Sequence, residues 1–138
     1  MTTTLIGPVL PSPPTILLPQ RIRRQRVKGW KLPANAVIVC RPSRYGNPFK
    51  IAMAAEWGLV GTPEQIRAHV VVMFEEWLDG APHWTSLDGE RYRQRLLNSL
   101  PLLTGRDLAC TCPLPEPGQV DYCHAVPLIR RANLGAPR

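Results

Sequence analysis

The sequence predicts a small α/β protein, a mostly parallel sheet with packed helices and a proline-rich N-terminal tail. Three observations predict it. Ala36-Val-Ile-Val-Cys40 and Leu108-Ala-Cys-Thr-Cys112 are short apolar runs of the kind that form strands buried on both faces. Two stretches of helical spacing lie between them. Each run also opens into an irregular loop, so the order is strand, loop, helix, helix, strand, loop, helix, which is the alternation of a parallel sheet with crossovers.

The elements follow in chain order. Residues 1–20 hold Pro8, Pro11, Pro13, Pro14 and Pro19. Proline removes backbone donors and favours extended chain, so this part reads as a tail or arm outside a single α/β domain over 21–138. The segment Arg21-Ile-Arg-Arg-Gln-Arg-Val-Lys-Gly-Trp-Lys31 has no sustained period. It reads either as a cationic stretch with Trp30 as a stacking face or as an edge strand with solvated arginines. After the first strand, Ile51 to Trp57 reads as a short helix ended by Gly58. Thr62-Pro-Glu-Gln65 is a capping box with proline at the first helical position. Behind it Ile66, Val70, Met73, Phe74, Trp77 and Leu78 form a core-facing stripe that Gly80 ends. His69 flanks that stripe. Ala81 to Thr85 reads as a loop. Ser86 or Asp88 then caps a second helix through Asn98, with Tyr92, Leu96 and Leu100 spaced by four. Cys123-His-Ala-Val-Pro127 enters a final helix, with Pro127 in its first turn, Leu128, Ile129 and Ala132 inward, and Arg130 and Arg131 outward.

The net charge of +7 is unevenly placed. Residues 1–50 carry nine Lys/Arg and no acid, whereas the remainder carries eight against ten Asp/Glu. A local positive field attracts polyanions, so nucleotide or nucleic acid is an expected partner of residues 21–50, with solubility as the plain alternative. No apolar run is long enough to span a membrane, and the first residues lack the charged start and apolar stretch of a signal peptide. The expected setting is the cytoplasm, where four cysteines read as thiols, metal ligands or core residues.

If the two strands are parallel neighbours, both loops emerge at the same sheet edge, where open α/β sheets bind ligands. This is the central expectation. The first loop, Arg41-Pro-Ser-Arg-Tyr-Gly-Asn-Pro-Phe49, offers Arg41, Ser43, Arg44, Tyr45, Gly46 and, just beyond it, Lys50 for an anionic or polar ligand, with Asn47 as donor and acceptor. It also reads as a structural turn. The second loop holds Cys110, Cys112, Cys123 and His124, a donor set suited to zinc, although adjacent Cys and His sit awkwardly in one metal shell. Alternatively Cys112 or Cys123 is a thiolate nucleophile at a helix N-terminus with His124 as acid or base, or the group is structural.

The Arg-x-x-x-x-Gly-Asn-Pro-Phe stretch from Arg41 to Phe49, the Leu108 to Cys112 strand and the Cys123-His124 pair together resemble a domain of unknown function in bacteria and bacteriophages. The resemblance covers about residues 27–134 and implies a compact α/β domain, often phage-encoded, with these marked residues at one edge. It implies no activity. The chain has Cys40 where that pattern commonly has glycine, which leaves Cys40 outside a shared metal set. Its loop between Cys112 and Cys123 is longer than usual.

Two functions are expected from these features. One is a small enzyme acting on a nucleotide or nucleic-acid component, with Asn47, Cys123 and His124 as catalytic candidates. The other is a non-enzymatic basic module, phage-encoded in the host cytoplasm, that binds nucleic acid or a host protein.

Overall fold

The computed structural model describes residues 18–84 and 86–134. Most of the proline-rich tail expected at 1–20 therefore lies outside the described residues. Three strands form one parallel sheet in the order β1 (Arg21–Arg23), β3 (Asp107–Cys110), β2 (Ala36–Ile38). The central strand β3 pairs on both sides, with Arg21 opposite Leu108 and Val37 opposite the same residue. Leu108 and Ala109 are fully buried, as a doubly covered parallel strand requires. The stretch 21–31, for which a cationic face and an edge strand were both open, starts as the edge strand β1.

The strands are shorter than the apolar runs that announce them. Regular pairing ends at Ile38, and the Val39 amide adds one further bond to the Ala109 carbonyl. Cys112 lies two residues beyond β3. A short 3-10 helix spans Ile51–Trp57 and closes on Gly58 at φ 75°, a left-handed conformation that glycine adopts without steric cost.

Helix α1 (Pro63–Leu78) begins with the expected capping box. The Thr62 hydroxyl accepts from the Gln65 amide, and the Gln65 side chain accepts from the Thr62 amide. Val70, Met73, Phe74, Trp77 and Leu78 are buried, whereas His69 is exposed. Pro82–Trp84 is a single 3-10 turn within the expected loop. Helix α2 (Leu87–Ser99) is capped by the Ser86 hydroxyl, which accepts from the Gly89 amide, and continues into a 3-10 turn over Leu100–Leu103.

Helix α3 (Ala125–Leu134) packs on β3 and β1, with Pro127 in its first turn and Leu128 and Ile129 inward. One expectation is corrected here. Arg131 is buried, not outward: its Nη1 lies 2.8 Å from Asp79 and its Nη2 4.0 Å from Glu75. It stands three residues after Leu128 and four after Pro127, on the buried face of the helix. Two carboxylates at the end of α1 supply the charge partners that burial of a guanidinium demands.

Because all three strands run the same way, the segments that leave them depart from one edge of the sheet.

Candidate functional site

The first loop is built on itself and on two helices. Buried Tyr45 donates its hydroxyl to the Ser99 carbonyl at 2.9 Å, and Arg44 reaches the Ser99 hydroxyl at 3.1 Å. Both residues thus anchor the loop on the end of α2. Ser43 accepts from the Tyr45 amide at 3.3 Å. Gly46 passes so close to Arg41 that a Cβ there would stand 2.7 Å from the arginine side chain and 3.2 Å from its backbone. The Gly46 carbonyl accepts from the Tyr92 hydroxyl. Asn47 is 6% exposed. Its Oδ1 accepts from the Phe49 amide at 2.9 Å, and its Nδ2 donates to the Val70 carbonyl of α1 at 3.4 Å. Arg41 closes the turn by donating to the Asn47 carbonyl at 2.6 Å.

The second loop gathers sulfur. Cys110 at the end of β3 and Cys112 have Sγ atoms 3.7 Å apart, and with Cys123 all three sulfurs lie within 4.8 Å of one another. Three close cysteines of this kind can hold a metal ion. His124 presents Nδ1 at 3.9 Å from the sulfurs of both Cys110 and Cys123. Its Nε2 lies 2.8 Å from the Val39 carbonyl oxygen. A carbonyl only accepts, so Nε2 carries a proton, and Nδ1 is the ring nitrogen turned toward the sulfurs. Phe74 packs edge-on against the same ring, 5.5 Å between centroids. The group whose ligand atoms all lie within 4.8 Å of one another is Cys110, Cys112 and Cys123, and His124 stands beside it.

The three thiols share protons unequally. Hydrogen bonds from Cys110 and Cys123 hold Cys112 well below the ordinary thiol range, with Arg21 adding to the effect. Contact with Cys112 pushes Cys110 up, yet Cys123 and His124 bring it below its usual value overall. Cys123 is pushed far up by the same two sulfurs and by burial, so it keeps its proton longest.

Arg21 holds this loop at both ends, a role not legible in the sequence. Its guanidinium grips Asp121 through Nε at 2.8 Å and Nη2 at 2.7 Å. It also donates to the carbonyls of Cys112 at 2.6 Å and Pro113 at 2.9 Å. Its side chain is only 4% exposed. Arg24, another member of the basic stretch, donates to the Cys40 sulfur at 3.3 Å.

The two loops meet across a cavity of about 360 Å³. Asn47, Arg41 and Lys50 line it from one side, and Cys110, Cys112, Cys123 and His124 from the other. Arg26 and, from α1, Arg67 complete its charge, so among the described residues four cations and no carboxylate line the space. Ser43 and Gly46 instead line an adjoining hollow. Arg44 and Tyr45 line neither, because their polar groups are turned to α2. Sequence reading missed Arg67, although it precedes the cavity-lining Val70 and Val71 by three and four residues, one helical turn. It also missed Tyr122, beside the cluster, whose neighbours gave no periodic signal.

Residues 22–134 match the family described as a domain of unknown function (DUF4326), and the chain belongs to that family. Comparison with curated proteins found no match, and comparison with solved structures found none either.

Proposed function

We propose that the protein binds an anionic ligand, a nucleotide or nucleic-acid component, in the cationic cavity above a zinc ion held by Cys110, Cys112, Cys123 and His124. The observation that carries this reading is the meeting of the two loops: among the described residues, four cations without a carboxylate line the same space as the thiol cluster. A cavity of about 360 Å³ is in the size range of small-molecule sites. Zinc bound tetrahedrally at about 2.3 Å sets sulfurs about 3.8 Å apart, near the 3.7 Å between Cys110 and Cys112. The backbone carbonyl on the far nitrogen of His124 is the usual orienting partner of a histidine ligand. Asn47 and His124 in this reading position the cavity walls, and Arg41, Lys50, Arg26 and Arg67 supply the charge for the ligand. Four free thiols suit a reducing cytoplasm. Among the described residues no helix is long and apolar enough to cross a membrane.

One observation favours a second, enzymatic reading. Cys112 is only half-buried and lines the cavity, so a thiolate or metal-bound sulfur there meets whatever enters. In that reading Cys123 and His124 manage protons beside it and Asn47 orients the substrate.

Elemental analysis of protein purified without chelator, followed by calorimetric titration with dAMP at low and high salt, tests both parts. About one zinc per chain and binding that weakens with salt are expected. Metal-free folded protein removes the zinc assignment. Failure to bind dAMP at low salt removes the ligand assignment.

A further inference from the structure

The central cavity is not isolated. It shares Arg41, Asn47 and Lys50 with a hollow of about 480 Å³ that Tyr92 also lines. It also shares Arg67, Cys112 and Tyr122 with a third hollow of about 350 Å³. The hollows thus adjoin through shared lining residues, and their cations stand in a pattern: Arg41 and Lys50 line both the central and the larger hollow, Arg67 both the central and the third, and Arg26 the central one.

A free mononucleotide carries its charge at one end, whereas a phosphodiester chain places one negative charge between each pair of nucleosides. Cations at the borders between hollows match the second pattern. We infer that the three hollows together make a groove for a short single strand of nucleic acid, three nucleosides in three hollows with a phosphodiester at each junction; this deepens the ligand reading above and rests on it. Tyr122 is half-buried and faces both the central and the third hollow, the position of a stacking face for a base. Glu64, Glu116 and Asp121 appear only in the third hollow. Asp121 is neutralised by Arg21, but the other two carboxylates oppose a further phosphate and accept from base amino groups. The strand therefore ends there on an unphosphorylated nucleoside. A duplex does not fit, because its bases are stacked inside and cannot occupy separate hollows.

The test is calorimetric titration of the full chain with a deoxyadenosine trinucleotide lacking terminal phosphates, with dAMP, and with a short duplex. The trinucleotide should bind about tenfold or more tighter than dAMP. Lys50→Gln and Arg67→Gln should each flatten the slope of log affinity against log salt by about 0.7, the signature of one lost phosphate contact on a single strand. Tyr122→Ala should weaken the trinucleotide about tenfold with the slope unchanged. Lys50 is exposed, so its variant keeps the slope test available if Arg67→Gln fails to fold. A trinucleotide no tighter than dAMP, unchanged slopes, or a duplex bound as well as the single strand overturns the inference while the nucleotide reading stands. Loss of all binding, dAMP included, overturns both.

Discussion

The two loops that meet at the cavity are held in different ways. The loop from Arg41 to Phe49 is fastened at many points by ordinary hydrogen bonds: Tyr45 and Arg44 to Ser99, Asn47 to Val70, and Arg41 and Tyr92 to its own carbonyls. The loop from Cys112 to Cys123 holds five exposed residues from Glu116 to Val120 and is fastened at its two ends, by Arg21 and by the sulfur cluster. Distributed fastening tolerates the loss of one bond. End fastening does not. The contrast teaches that many separate contacts shape the first loop, whereas the second depends on two end attachments, Arg21 and the sulfur cluster.

Under the zinc assignment proposed above, removing the ion should give the largest effect. Cys123→Ser, or strong chelation of the wild-type protein, should release the metal and lower stability by several kcal/mol, read as a fall in Tm with metal content measured alongside. If chelation leaves Tm unchanged, the second loop is packed like the first and the contrast disappears. Next comes Arg21→Ala, which leaves Asp121 without its partner and two carbonyls without donors. The expected cost is about 3 kcal/mol, together with at least tenfold weaker zinc retention against a competing chelator.

Asn47→Ala should cost less, about 1–3 kcal/mol, because it removes two hydrogen bonds from a buried site that other contacts also brace. Metal content should not change. Loss of zinc in this variant would mean that the two loops are one cooperative unit. The smallest effect belongs to Arg44→Ala, where an exposed arginine gives up one bond to Ser99. Denaturant melts should register about 1 kcal/mol or less. A larger loss would show that the first loop hangs on that anchor.

Much of this architecture was legible beforehand. The capping box at Thr62 and Gln65, the Ser86 cap and the stripe from Val70 to Leu78 are interactions between residues within a few positions of one another. The parallel pairing of Ala36–Ile38 with β3 was expected from the two apolar runs and from the helices between them, although it is shorter than those runs. The approach of the two loops, whose Asn47 and His124 line one cavity, was expected from that topology. Arg21 and Arg131 were misplaced for one reason: each carries a charge that reads as solvent-facing unless a carboxylate elsewhere in the chain is known to await it. Arg44 and Tyr45 looked like ligand groups by type, and only the position of Ser99 drew their polar groups to the end of α2, with Tyr45 buried and Arg44 still exposed.

The sequence by itself determined the helices, their ends, the strand candidates and the donor types at the sheet edge, because caps, turns and periodic burial act over a handful of residues. Tertiary structure alone decided which arginine locks the sulfur loop and which carbonyl sets the histidine tautomer. Arg21 and Asp121 are 100 positions apart, and Val39 and His124 are 85 apart. No local propensity encodes such pairs; they exist only once β3 lies between β1 and β2 and draws the ends of all three strands to one edge.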